Sequence, residues 1–200
     1  MLIIALPQDA HTASAGYAHV HSDGHLVLRS ATEAAATLSN HAGEVVAVVP
    51  HSRLSWLTVT LPRASHGPRL AIVLQGLLED RLLDDAQQLH LVLSPEAAAT
   101  ARSGGPALVA VCDKAWLREA LAPLQAAGLT VQRIVPELSP SARPVLQVMG
   151  DPAHAQSVLC HAQGVTLLPP NTAQWHAFAE LTADDLHLSL IHISEPTRRS

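Results

Sequence analysis

Residues 44–49, Glu-Val-Val-Ala-Val-Val, constrain the fold of this chain more than any other segment. Every residue after Glu44 is Val or Ala, and Pro50 closes the run. Such a run is typical of a strand covered on both faces, because a half-exposed strand alternates apolar and polar residues. The segment therefore predicts a sheet flanked by other layers, as in an α/β protein.

Strand and helix patterns alternate along the rest of the chain. The turn Ser22-Asp23-Gly24 between two alternating segments predicts a β-hairpin. Other strands are predicted at 2–6, 54–61, 89–93, 107–112 and 129–135. Helices are predicted at 32–39, from Pro68 onward and from Asp113 to Gly128, and a loop of small residues at 94–105. Three strands followed by alternating helices and strands is how an RNase H-like or actin-like half begins.

Both long predicted helices carry an apolar stripe and an irregular residue. After Pro68 the stripe predicts burial of Leu70, Leu74, Leu77, Leu78 and Leu82, while Gly76 predicts close packing or a bend. After Asp113 the predicted buried face is Trp116, Leu117, Ala120, Leu121 and Leu124. Pro123 lies inside this second helix and predicts a kink or an early end.

The last third of the chain predicts a boundary. Residues 136–144 are rich in Pro and Ser and predict a hinge. One or more subdomains are predicted before it, at residues 1–135, and the start of a second subdomain after it, at residues 145–187. Three short strands at 145–149, 157–160 and 165–168 and a helix near 172–180 are expected after the hinge. Residues 188–200 resemble the translated read-through of a sequencing adapter, so we expect a non-native tail there.

Composition excludes several classes of partner. The net charge is −5 and no cluster of Lys and Arg occurs, which argues against nucleic acid. Three Trp, one Tyr and one Phe are too few for a surface that stacks bases or sugars. Cys112 and Cys160 lie in or beside apolar runs and are predicted to be buried, reduced thiols. No run approaches the roughly 20 apolar residues of a membrane span, and no signal peptide is visible, so we expect a soluble, cytoplasmic chain.

Six short motifs occur in one order between residues 61 and 137. They are Leu61-Pro62, Leu78-Glu79-Asp80, Leu89-His90, Asp113-Lys-Ala-Trp116-Leu117, Ala127-Gly-Leu129 and Pro136-Glu137. In this order they resemble the cytoplasmic domain of protein L of the type II secretion system. The resemblance implies an actin-like (RNase H-like) α/β fold, with mixed sheets flanked by helices and its second half incomplete in this chain.

The resemblance also implies a function. Protein L is a non-catalytic component of the inner-membrane platform, and its cytoplasmic domain recruits the secretion ATPase for protein export. This places the chain at the cytoplasmic face of the bacterial inner membrane, reached through a transmembrane helix absent from this chain. The family's periplasmic part pairs with inner-membrane protein M, and a homodimer is left open. No cofactor is implied.

A nucleotide-binding actin-like protein is the alternative. A pilus-assembly scaffold resembling PilM, or a sugar-kinase relative, would need a glycine-containing phosphate loop near residues 7–13 and another after residue 145. The stretch Leu6-Pro-Gln-Asp9-Ala-His-Thr12 has Asp9 but no neighbouring glycine, so we expect no nucleotide hydrolysis. A small hydrolase with an isolated His/Asp site is a third hypothesis, disfavoured because no Gly-x-Ser-x-Gly motif occurs.

Three side-chain groups remain as candidate sites. His19, His21 and His25 could hold a metal across the predicted hairpin, although solvent-facing strand histidines are the favoured interpretation. Trp56 and Trp116 are predicted to be core residues, and Trp175 is left undecided.

The third group is acidic: Glu79, Asp80, Asp84 and Asp85. Glu79 and Asp80 lie about 100° apart on a helix, which does not suit a general acid/base pair. A solvated helix end is the simpler hypothesis, and an acidic edge for a basic partner is the functional one.

Overall fold

The computed structural model describes residues 1–38, 41, 43–82, 84–150, 155–168 and 189–191. The chain forms two compact units, residues 1–137 and 138–200. In this described part of the chain, no helix combines the length and the apolar character needed to cross a lipid bilayer.

The first unit contains eight strands and four α-helices among its described residues. The strands are β1 Leu2–Ala5, β2 Tyr17–Ser22, β3 Val27–Glu33, β4 Val45–Val49, β5 Ser55–Leu61, β6 Leu89–Leu93, β7 Gly105–Asp113 and β8 Arg133–Pro136. The helices are α1 Ala35–Leu38, α2 Arg69–Leu78, α3 Ala97–Ser103 and α4 Lys114–Ala126.

Five of these strands form a mixed sheet in the order β3-β2-β1-β4-β8. The first three form an antiparallel meander, whereas β4 is parallel to both β1 and β8. Strand β4 lies between β1 and β8, and Val45, Val46, Ala47 and Val49 are all buried. The prediction of a strand buried on both faces is therefore confirmed.

Helix α4 covers this sheet and is fixed at both ends. The Asp113 carboxylate accepts a 2.7 Å hydrogen bond from the Trp116 backbone N–H, as predicted for an N-cap. At the other end Gly128 has φ +79°, and Leu129 N–H donates to the Leu124 carbonyl while Gly128 N–H donates to that of Gln125. This is a Schellman motif, which satisfies the last carbonyls of the helix.

The apolar face of α4 joins the larger core of the unit. Trp116, Ala120, Leu121 and Leu124 are buried, as predicted, and Leu117 packs against them partly buried. Pro123 is accommodated because it falls in the last turn, three residues before the helix ends. Its missing N–H therefore interrupts the hydrogen bonds only near the end of the helix.

Glu137 fastens the end of β8 to the end of β4. Its carboxylate accepts a 3.0 Å hydrogen bond from the His51 backbone N–H and lies 2.9 Å from His51 Nδ1. Glu137 N–H also donates to the Val49 carbonyl at 2.8 Å. One side chain thus satisfies the amide that follows Pro50.

The other three strands form a separate antiparallel sheet in the order β5-β7-β6. Helices α2 and α3 pack with it around a second core that includes Val59, Leu74, Leu78 and Val109. The predicted loop at 94–105 is wrong, because it contains α3. Alanine has the highest helix propensity, and Ala97 and Ala101 are buried one turn apart in this core.

Helix α2 buries a narrower stripe than predicted. Leu74 and Leu78 are fully buried and Leu70 and Leu82 are partly buried, but Leu77 is exposed. The stripe therefore consists of the i, i+4, i+8 row, with Val73 packed partly buried beside it. The close packing predicted for Gly76 is also wrong, because a Cβ built at this position meets no atom within 4 Å.

Two other predicted boundaries differ from the observed ones. Strand β3 continues to Glu33, so only Ala35–Leu38 of the helix predicted at 32–39 is described as helical. Strand β8 begins at Arg133 and not at residue 129, because Leu129 belongs to the Schellman motif of α4.

The second unit contains a small four-stranded sheet in the order β11-β10-β9-β12. Its strands are β9 Val145–Met149, β10 Gln156–His161, β11 Gly164–Leu168 and β12 Ser189–Ile191. The three strands predicted between residues 145 and 168 are confirmed. The helix predicted near residues 172–180 lies outside the described residues, and β12 falls within the predicted non-native tail.

The two helix glycines give a paired stability prediction. Gly76→Ala raises the free energy of unfolding by about 0.5–1 kcal/mol, because alanine restricts the unfolded chain and meets open space in the folded one. Gly128→Ala lowers it by about 1–2 kcal/mol, because its φ of +79° strains a residue with a Cβ. Urea denaturation followed by circular dichroism measures both, and equal shifts of the two variants would contradict the prediction.

Cys112 and Cys160 are free and buried, as predicted from the sequence. Burial, with a smaller contribution from the nearby Asp113 carboxylate, raises the pKa of the Cys112 thiol to about 11. The folded chain therefore favours the protonated thiol. The contribution of Cys112 to the free energy of unfolding is fully present at neutral pH and is lost as the pH rises from about 9 toward 11.

We accordingly expect Cys112 to alkylate slowly in the folded chain. At pH 8 iodoacetamide should label it about 100-fold more slowly than in the same chain unfolded in urea, because roughly 100-fold less thiolate is present. Mass spectrometry of the peptide that contains Cys112 measures the rate. Equal rates in the two states would show that this thiol is accessible and ionised.

Candidate functional site

The end of β1 is where an actin-like fold would place its first phosphate loop. Here Asp9 caps a 3₁₀ turn, Ala10–Ala15, and its carboxylate accepts a 3.0 Å hydrogen bond from His11 N–H. Thr12 Oγ1 donates to the Asp9 carbonyl at 2.7 Å. The one acidic side chain of this stretch therefore binds the backbone of its own turn.

The residue before Asp9 is held by side chains from two other elements. The Gln8 carbonyl accepts hydrogen bonds from Trp116 Nε1 at 3.1 Å and from Arg53 Nε at 2.5 Å. The Arg53 guanidinium carbon lies 5.5 Å from the centre of the Trp116 ring, within cation–π range. A buried indole from α4 thus donates to the backbone carbonyl that precedes this turn.

The histidines of the β2–β3 hairpin do not form the site suggested by their spacing. His19 and His21 share a face as predicted, with ring centres 5.3 Å apart, but the third neighbour is His41, 5.5 Å from His21. His25 lies exposed in the turn. Within the described ranges, no group of three His, Cys, Asp or Glu side chains is arranged to hold a metal.

His19 is buried, so its predicted solvent-facing position is wrong. Strand alternation places it on the same face as Tyr17, which points into the core and donates a 2.7 Å hydrogen bond from its hydroxyl to the Ala120 carbonyl. Partial burial, and then the neighbouring His19 and His41 rings, lower the pKa of His21. The lowered pKa favours the neutral form of the His21 imidazole.

The four predicted acidic residues lie in the connection between α2 and β6. Glu79 and Asp80 belong to a 3₁₀ turn that continues α2, and all four carboxylates are exposed. Asp85 uses its carboxylate to cap a second 3₁₀ turn, accepting from Gln87 N–H at 2.9 Å. We call Glu79, Asp80, Asp84 and Asp85 the acidic connector. No ion pair involves them among the described residues.

The outer face of the three-stranded sheet was not predicted from the sequence. Cross-strand register places Trp56 opposite Ala110 and Ala110 opposite Val92, with Leu108 one row away. We call these four residues the outer sheet face. Trp56, Leu108 and Ala110 are half-buried, whereas 45% of Val92 is exposed.

The prediction that both tryptophans are core residues is half right. Trp116 is buried, but Trp56 lies on the side of β5 away from the second core, which receives Leu57, Val59 and Leu61. The period-two alternation of residues 55–61 carried this signal, because Trp56 shares its parity with Thr58 and Thr60. Trp175 lies outside the described residues.

One hydrogen bond links the turn of the acidic connector to strand β5, which carries Trp56. Arg81, in the same 3₁₀ turn as Glu79 and Asp80, donates a hydrogen bond from Nη1 to the Thr58 carbonyl. Thr58 follows Trp56 on the same side of the strand. This hydrogen bond attaches the 3₁₀ turn that carries Glu79 and Asp80 to the edge of the three-stranded sheet.

Comparison with known proteins identifies the family. The family model described as type II secretion system (T2SS), protein L, matches residues 2–140. No curated protein matches this chain.

Solved structures show the same fold at low sequence identity. The cytoplasmic domain of EpsL, an inner membrane component of the type II secretion system of Vibrio cholerae, is 20% identical, with a TM-score of 0.61. That match covers 97% of this chain and 86% of the EpsL chain. A chain of the PilM–PilN type IV pilus biogenesis complex is 13% identical, with a TM-score of 0.51, over 88% of this chain and 63% of that one.

A protein of Bacteroides thetaiotaomicron with an actin-like ATPase fold and unknown function is more distant. It is 11% identical over 84% of this chain and 67% of its own, and its TM-score of 0.31 carries no weight.

The actin-like α/β class predicted from the sequence is confirmed. Because the family model covers more than half of the chain, the chain belongs to the protein L family of the type II secretion system.

Proposed function

We propose that this chain is a non-catalytic adaptor that recruits the secretion ATPase to the cytoplasmic face of the bacterial inner membrane. Its membership of the protein L family makes it a component of the type II secretion system. The matching Vibrio cholerae structure is described as the cytoplasmic domain of an inner membrane component. Protein M is the second proposed partner, through the periplasmic part that the family resemblance implies.

The observation that carries the non-catalytic part is the turn at the end of β1. A phosphate loop needs glycine and several free backbone N–H groups that point at the anion. In this chain Asp9 occupies the His11 amide, and the Trp116 indole and Arg53 hold the Gln8 carbonyl. These contacts leave the turn folded on itself, which supports a scaffold over a nucleotide-binding protein.

The acidic connector and the outer sheet face together are the proposed contact surface for the ATPase. Exposed carboxylates mainly steer and orient a basic partner, while a tryptophan beside aliphatic residues supplies apolar area that is buried on binding. The hydrogen bond from Arg81 to Thr58 links the turn of the acidic connector to β5, the strand that contributes Trp56 to the outer sheet face. A partner with a basic rim around an apolar patch would complement them.

Charge reversal tests this surface. Isothermal titration calorimetry of the chain against the N-terminal domain of the cognate ATPase should give a micromolar or tighter Kd. Glu79→Lys, Asp80→Lys and Asp84→Lys should each weaken binding about threefold or more, and the triple variant about 30-fold, at 0.05 M salt. The loss should shrink at 0.5 M salt, where exposed charges are screened. Asp85 stays unchanged because it caps a turn.

Glu119→Lys is the matched control, because it makes the same charge change at an exposed position of α4. It should bind like the unmodified chain. An ATP titration is run in parallel. Binding of ATP without binding of the ATPase would contradict the adaptor proposal and favour a nucleotide-binding protein. Equal weakening by Glu119→Lys would show a general charge effect and remove the acidic connector from the contact.

A further inference from the structure

Helix α2 contains a glycine that has no packing role inside the chain. Gly76 lies in the interior of the helix, where glycine lowers stability relative to alanine. A Cβ built on it meets no described atom within 4 Å, so no internal contact requires the side chain to be missing. Glycine also serves where another backbone approaches closely, and at this position the approach must come from outside the chain.

The neighbours of Gly76 on the solvent side of α2 form a row. Arg69, Ile72, Gly76 and Glu79 recur at i, i+3, i+7 and i+10, which places them on one face of a helix. Glu79 has helical backbone angles and so continues the row past Leu78. All four residues are exposed, and 71% of Ile72 is accessible to solvent. We call these four residues the outer stripe of α2.

The charges at the two ends of the outer stripe do not stabilise the helix. Arg69 begins α2, whereas Glu79 and then Asp80 follow its last residue. The helix macrodipole is positive at the start and negative at the end, so each of these charges has the sign that its end of the helix disfavours. The ion pairs of the described residues involve other side chains. Both ends of the stripe are therefore available to the opposite charges of a partner.

We infer that the outer stripe of α2 docks one helix of the secretion ATPase, and that this helix crosses α2 at Gly76. The partner helix carries a carboxylate against Arg69, a basic side chain against Glu79 and an apolar side chain beside Ile72. A residue without a side chain at the crossing lets the two helix axes come close, because the distance between packed helices depends on the side chains at their contact. The inference rests on the proposed function, since Glu79 also belongs to the acidic connector, and it extends that contact along α2.

The charges and the backbone of α2 favour a helix over a lipid surface or a strand. An anionic bilayer attracts Arg69 but repels Glu79 and Asp80 at the other end. The backbone groups of a helix are paired within it, so side-chain packing must supply the contact, and an added strand would find no backbone partners. Arg69 and Glu79 lie about 15 Å apart along the helix axis. This length fits within a standard interface, which buries about 800 Å² on each partner.

A substitution at Gly76 separates binding from folding. In calorimetric titration of the full 200-residue chain, Gly76→Leu should raise the Kd for the N-terminal domain of the ATPase about tenfold or more, because the new side chain fills the crossing point. The same change should stabilise the fold in urea denaturation, since leucine has a higher helix propensity than glycine. Ala71→Leu is the matched control, because Ala71 is exposed about 140° from Gly76 around the same helix. It should bind like the unmodified chain.

Two further variants test the rest of the outer stripe. Ile72→Ala should raise the Kd about fivefold and Arg69→Glu about threefold, whereas Ile134→Ala, which truncates an exposed isoleucine of β8, should change nothing.

Three results would overturn the inference. If the unmodified chain binds the ATPase and Gly76→Leu and Ile72→Ala bind equally well, the inference fails and the proposed function stands. If the unmodified chain does not bind the ATPase, both fail. If Gly76→Leu instead abolishes binding to vesicles of phosphatidylcholine and phosphatidylglycerol and leaves ATPase binding unchanged, the outer stripe contacts lipid.

Discussion

The hydrogen bond from Trp116 N–H to the Asp113 carboxylate is the contact on which the first unit depends. Asp113 is at once the last residue of β7, in the three-stranded sheet, and the cap of α4, which covers the five-stranded sheet. The bond fixes the point at which β7 ends and α4 begins to pack over the five-stranded sheet. It also sets the start of the helix, so that Trp116 enters the core and its indole reaches the Gln8 carbonyl.

The motifs that identified the family mark such positions. Asp113 and Trp116 begin α4, Gly128 and Leu129 end it, and Glu137 holds His51. The start and end of α4 follow from local rules of capping and turn chemistry, which is why the sequence was sufficient to predict this helix, whereas the contact of Glu137 with His51 is long-range. None lies in the outer sheet face, and of the acidic connector only Glu79 and Asp80 fall inside a motif. The family pattern therefore carried little information about partner surfaces.

The features that the sequence did not predict depend on three-dimensional packing. The burial of His19 can be predicted only when one knows which side of β2 faces the core. That side is normally found from its apolar residues, and a histidine does not fit such a pattern. Helix α3 lies in a stretch of small residues, where propensity is the only signal and burial of Ala97 and Ala101 decides the outcome. Trp56 is large and apolar, yet the pleat turns it away from the core.

The closed turn at the end of β1 has a consequence for energy conversion. A domain changes shape in response to a ligand only if the ligand binds one of its states more tightly than another. In this turn the Asp9 carboxylate already accepts a hydrogen bond from His11 N–H, and the Gln8 carbonyl already accepts one from the Trp116 indole, so neither group is free to respond to a ligand. Under the proposed adaptor function, such a domain would act as a passive lever, and its movements would follow the cycle of the ATPase that it is proposed to bind.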